Sequence, residues 1–145
     1  MDHLVILKKS WGLLSKIESG EKTIESRWYK NKIPPIGKVG KGDTLYFKNS
    51  GEPVVLRAKV TKVEEFTIKD NQSAIELLMS RIDKVLNSKD ISDDVMNYIL
   101  NKKYALFVSF SEVEHTEPFN INKSGYGMQS AWITCRNIHS IKTKS

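Results

Sequence analysis

The chain of 145 residues has a single cysteine, Cys135, so no disulfide can form within it. Its histidines, His3, His115 and His139, stand far apart and have no cysteine pair beside them, so no zinc site is expected and no cofactor is implied. The Gly-x-x-x-x-Gly-Lys phosphate cradle, the dinucleotide fingerprint and the nucleophile elbow are all missing. That disfavours the nucleotide enzymes and hydrolases that depend on them. No apolar run approaches a membrane span, and the first residues lack a basic region followed by an apolar stretch. A cytoplasmic protein without membrane contact is the expectation. Long biased segments and internal repeats are also lacking, and residues 1–145 are expected to form one domain.

What the chain does have is cationic charge, unevenly placed. The net charge is +6; residues 1–50 hold ten Lys or Arg against five Asp or Glu, while residues 51–100 hold seven against nine. A basic half concentrates polyanions and suits nucleic acid, although a solvated lysine face produces the same composition.

The pattern of apolar residues places the elements. Leu4 to Lys8 reads as a short buried strand. Ser10 then stands as the cap of a helix carrying Leu13, Leu14 and Ile17 at helical spacing. Gly20 ends that helix, and Lys22 to Trp28 forms a strand. Tyr29 to Lys41 is a loop, broken by Pro34, Pro35, Gly37 and Gly40, with Lys30, Lys32, Lys38 and Lys41 along it. Strands at Thr44 to Lys48 and Val54 to Phe66 flank an Asn49-Ser50-Gly51 turn. Ser73 and Glu76 read as a capping box for a helix whose stripe is Ile75, Leu78, Met79, Ile82 and Leu86. A second helix starts near Ser92, followed by a central strand from Tyr104 to Val113. Residues 117–130 form a loop, and a last strand alternates Ala131, Ile133 and Cys135 with Trp132, Thr134 and Arg136.

One stretch, Gly20-Glu21-Lys22-Thr23-Ile24-Glu25-Ser26-Arg27, gathers opposite charges where the helix passes into the strand. Strand alternation puts Thr23, Glu25 and Arg27 on one face, with Lys22 at the turn leaning over the same mouth. In such a cluster, Arg27 can fork a phosphate or carboxylate and Glu25 can accept from an amino or hydroxyl group. Lys22, its charge state tuned by Glu25, can serve as base or nucleophile. The same cluster also reads as an ion-paired closure of the sheet, with no ligand at all. Trp11, Trp28, Tyr29, Tyr126 and Trp132 are candidate stacking surfaces for a base. Trp132 stands on the side of Thr134 and Arg136 and is the better placed; Trp28, out of step with Glu25 and Arg27, suits the core.

The charged stretch resembles the Gly-x-Lys-x-x-Glu-x-Arg signature of the ASCH domains. The lead-in from His3 to Ser19 and the later Gly42-Asp43-Thr44-Leu45-Tyr46-Phe47 are similar to the flanking elements of that family, and the second half of the chain matches in element order. The resemblance implies an α+β fold: a PUA-like mixed β-barrel with flanking helices and a two-helix insertion. It implies a ligand site of Lys9, Ser10, Lys22, Glu25 and Arg27, to which the alternation of the last strand adds Trp132, and a partner that is RNA or a modified nucleoside or nucleotide. Some ASCH proteins are amidohydrolases that remove an acyl group from modified cytidine with a lysine, a threonine and a glutamate. Lys22 stands at the lysine position, Glu25 stands where the threonine would be, and Glu76 is the helical glutamate available. A ribonuclease using Lys22 and Glu25 is the other enzymatic reading.

Overall fold

The computed structural model describes residues 1–127 and 130–143; Met128 and Gln129, inside the expected loop 117–130, lie outside the described residues, as do Lys144 and Ser145. Six strands run β1 (Asp2–Leu7), β2 (Ile24–Tyr29), β3 (Thr44–Asn49), β4 (Val54–Thr67), β5 (Tyr104–Phe119) and β6 (Trp132–Cys135). They form one mixed sheet in the order β2-β5-β4-β3-β1-β6. Only β1 and β3 pair in parallel; every other neighbouring pair is antiparallel.

The ladder between β4 and β5 contains three register shifts, and Glu112 adopts φ 56° on β5. Bulges of this kind bend a strand and add twist, so the sheet curls. Curling carries the edge strand β2 round toward β1 and β6, and the result is a half-barrel with an open seam. The apolar residues inside it include Val5, Leu45, Phe47, Leu56, Leu106 and Val108, all with 0% exposure. These come from alternate positions on the strands, which is why one face of each is apolar.

Among the described residues four short α-helices flank the sheet: α1 (Leu13–Ser19), α2 (Asn71–Met79), α3 (Ile82–Leu86) and α4 (Asp93–Ile99). A second apolar cluster joins Ile24, Trp28, Ala74, Leu78, Val85, Ile99 and Phe107, binding the three later helices to the outer side of β2 and β5. The expected insertion of two helices is thus three. The stripe from Ile75 to Leu86 breaks at Ser80 and Arg81, and Met79 is exposed rather than part of it.

Two expected caps differ in the structure. Lys9–Trp11 is a single 3₁₀ turn closed by Gly12 at φ 65°, so Ser10 caps nothing and α1 begins at Leu13. In α2 the cap is Asp70, whose carboxylate accepts from the Ser73 N–H at 2.7 Å. Aspartate, a strong N-cap, therefore sets the start three residues earlier than the Ser73–Glu76 pattern does, leaving Glu76 to accept from Gln72 on an exposed turn. By contrast Gly20 ends α1 as expected, in the left-handed conformation at φ 85° with its N–H on Ile17 O. Among the described residues no helix is long and apolar enough to cross a membrane.

Candidate functional site: an ion triad and a cleft at the open seam

Gly20 turns the chain so that Lys22 enters the protein between the end of α3 and the start of β2. Its backbone N–H bonds Lys16 O, and that of Thr23 bonds Lys84 O. Lys22 does not lean over the mouth of the sheet; its side chain is fully buried. The ammonium donates to Ile24 O at 2.5 Å and to Val85 O at 2.6 Å, and lies 3.3 Å from Glu25 Oε1. Val85 belongs to the last turn of α3, where unpaired carbonyls and the helix dipole attract a cation. That is the reason it turns inward.

Glu25 is 4% exposed and connects the lysine to the arginine: Oε1 also accepts from Ser26 N–H, and Oε2 accepts from Arg27 Nη2 at 3.3 Å. Burial alone would raise its pKa, but Lys22 and then Arg27 hold it below the ordinary carboxylate value. Burial pushes the Lys22 ammonium down, and Glu25 offsets only part of that. Burial also works against the Arg27 guanidinium, yet Glu25 more than compensates and its pKa is raised. Glu25 and Arg27 are therefore charged at neutral pH, and Glu25 lies between the Arg27 guanidinium and the Lys22 nitrogen.

Arg27 closes the seam. Its Nη2 donates to Ile6 O on β1 at 3.0 Å, and its Nη1 donates to Ala131 O, just before β6, at 3.3 Å. A guanidinium has enough donors for both carbonyls and Glu25 together. The Trp132 ring lies over it, 5.4 Å from centroid to guanidinium carbon, within cation–π range.

Beside this bridge lies an open cavity of about 880 Å³. Glu25, Arg27 and Trp132 reach it from the seam, Lys8 and Trp11 from the turn after β1, and Asp94, Asn97 and Tyr98 from α4. Tyr29 and Tyr98 are pushed to higher pKa by burial, so both remain neutral phenols. The Tyr98 hydroxyl accepts from the Trp28 N–H at 3.1 Å.

The expected site residues thus divide. Glu25, Arg27 and Trp132 meet at the cavity, and Lys22 supports them from behind. Lys9 and Ser10 are exposed and do not line it; Lys9 pairs with Glu52 at 2.7 Å. Glu76 is on the exposed face of α2, away from the triad's contacts. Trp28 packs edge-on against Phe107 in the core, and Tyr126 is exposed. The wall contributed by α4 had no signal in the sequence, where Tyr98 reads as one more residue of an amphipathic helix. Among the described residues no group of three or more His, Cys, Asp or Glu converges as metal ligands do.

No protein-family profile and no curated protein sequence matches the chain. Solved structures do match. ASCH from Zymomonas mobilis superimposes with a TM-score of 0.64 over 99% of this chain and 96% of that one, at 14% identity. A tyrosine-to-phenylalanine mutant of the same protein gives 0.66 over 98% and 99%, again at 14% identity. Hypothetical protein PH0355 gives 0.50 over 80% and 100%, at 18% identity. The six-stranded, curled α+β architecture described here is the PUA-like fold of those ASCH structures.

Proposed function

With the ASCH fold as the premise, we propose that this protein binds RNA, or a nucleotide derived from it, in the seam cleft. The observation that carries this reading is the make-up of the cavity wall. One wall sets the Trp132 ring against a permanently charged guanidinium, and the other brings Trp11 and Tyr98 with the polar side chains of Asp94 and Asn97. A nucleobase asks for that combination: ring faces for stacking and donors and acceptors for its edge. Lys30, Lys32, Lys38 and Lys41 are all exposed on the segment leading from β2 to β3, and they supply long-range attraction for a phosphate backbone.

Lys22 takes the part of an internal support in this reading. Its ammonium is saturated by two carbonyls and a carboxylate and has no exposed surface. A nucleophile or general base must be within reach of substrate, and this nitrogen has no exposed surface. The amidohydrolase and ribonuclease readings therefore rest on motif resemblance alone.

Fluorescence anisotropy with a labelled, mixed-sequence, short single-stranded RNA tests the proposal. Affinity should fall steeply with salt, with a slope reduced by about 0.7 for each phosphate contact removed by mutating a loop lysine. Trp132→Ala should cost about 1–3 kcal/mol of binding if a base stacks there. Parallel incubations with acylated cytidines and the same RNA, followed by mass spectrometry, give the enzymatic readings their chance. RNA affinity indifferent to salt and to Trp132→Ala would sink the proposal; turnover by the wild type would replace it.

A further inference from the structure

Among the described residues the buried polar side chains are His3, Lys22 and Glu25. The last two form the triad. His3, with 0% exposure, takes no part in it, yet its ring is tied directly to the cleft. Trp132 Nε1 lies 3.2 Å from His3 Nδ1, Thr134 Oγ1 lies 3.0 Å from the same nitrogen, and Asp43 Oδ2 lies 2.8 Å from Nε2.

An indole N–H can only donate, so Nδ1 must present its lone pair to Trp132. The ring proton then sits on Nε2 and is given to Asp43. Asp43 is in turn fixed by the Gly40 N–H at 2.9 Å and the Met1 amino group at 3.2 Å. The chain of contacts is therefore directional: Asp43 sets the tautomer of His3, His3 sets the indole, and the indole lies over Arg27 in the cavity wall.

We propose that His3 is a positioning residue for the seam cleft, which in its neutral Nε2–H form holds the Trp132 ring in its stacking position and on protonation releases it. This rests on the cleft being the nucleotide or RNA site. A doubly protonated ring places an N–H against the indole N–H, two donors with no acceptor between them. Thr134 can turn its hydroxyl to accept from Nδ1, but the indole has no such choice and must leave. The groups facing His3 are Asp43 and the Met1 amine from the β3 side, Thr134 and Trp132 on β6, and Asp2 on its own strand, with Arg27 beyond the indole. Asp43 favours protonation; burial opposes it and dominates, so the ring stays neutral to below its ordinary value of 6.5.

Two readouts on the full chain decide the matter. The first needs no ligand: the Trp132 indole resonance in a ¹H–¹⁵N spectrum, assigned with Trp132→Phe, should move with the titration of the His3 ring below pH 6.5. The second is affinity for the same labelled RNA, which should fall on the order of tenfold through that titration as stacking is lost. His3→Asn places an amide oxygen near the Nδ1 position. It should lose both pH responses, whatever its affinity at neutral pH. An indole resonance that stays still while His3 titrates overturns the proposal, as does a His3→Asn protein with the wild-type pH profile. If His3→Asn does not fold, the wild-type indole titration decides alone. If RNA binds at no pH, the cleft reading fails, and the indole titration still judges the role of His3.

Discussion

Lys22→Met separates a lysine that serves the fold from one reserved for a ligand. Methionine keeps an unbranched apolar stem of similar reach and fills much of the same space. It removes the ammonium and with it the contacts to Ile24 O, Val85 O and Glu25. Glu25 keeps Arg27 and the Ser26 N–H, so it is impoverished rather than abandoned. Breaking a buried ion pair from one side costs about 3–5 kcal/mol. A carbonyl deprived of its donor adds as much as about 1–3 kcal/mol where water cannot reach it. With Arg27 retained, about 3–5 kcal/mol is the expected total, a large share of the roughly 5–15 kcal/mol that holds a domain together. Urea unfolding, followed by tryptophan fluorescence and far-UV circular dichroism together, should show a midpoint lower by roughly 1–3 M. The double variant Lys22→Met with Glu25→Gln takes the carboxylate from Arg27 as well and should be no more stable than the single variant. An unchanged midpoint for the single variant, with ligand binding or turnover abolished, would refute the argument and make the lysine a functional group.

Further predictions concern the same triad and the helix start. Glu25→Gln should flatten the acid limb of the stability curve. The folded carboxyl titrates below its ordinary value of 4.5, so its contribution is complete above that pH and is lost as pH falls through the folded value. Equilibrium unfolding at a series of pH values between neutral and strongly acidic reads this directly. Arg27→Lys keeps the charge but replaces two separate guanidinium nitrogens, one on Ala131 O and one on Ile6 O and Glu25, with a single donor atom on a shorter reach. It should cost about 1–3 kcal/mol and speed hydrogen exchange at the Ile6 amide, which bonds Ala131 O beside the bridge. Asp70→Ala should lose about 1 kcal/mol of stability as the cap of α2, while Ser73→Ala should change it by less than about 0.5 kcal/mol. Equal losses in denaturant titrations would restore Ser73 as the cap.

The sequence carried the fold further than it carried the site. Strand alternation in Leu56, Ala58 and Val60, and the double-sided apolar run of Ala105 to Val108, are local signals of how each strand is covered, and they survive in the structure. The charged stretch likewise announces Glu25 and Arg27 on one strand face. What local pattern could not convey is which way a charged side chain turns when a distant carbonyl awaits it. Lys22 points inward because Val85 O lies there, 63 positions along the chain. Helix starts failed for a related reason: Asp70 and Ser73 both have capping side chains, and packing of Ala74 and Leu78 against β5 selects between them. Tyr98 and Asn97 reach the cleft, and His3 reaches its Trp132 wall, only through the curl of the sheet. That curl depends on bulges in the β4–β5 ladder, invisible to a reading made strand by strand.

The hydroxyl of Tyr98 on the Trp28 N–H bears on a hazard any open sheet carries. An edge strand displays unpaired amides to which another chain can add itself, and proteins protect such edges with short strands, charges or a covering element. On β2 one outward amide is already taken by Tyr98 and the Arg27 side chain crosses beside it, while the opposite edge, β6, is only four residues long. The half-barrel can therefore keep its seam open while offering less of either rim as a template for a neighbouring copy, and α4, by way of one phenol, covers part of the β2 edge as well as walling the cleft.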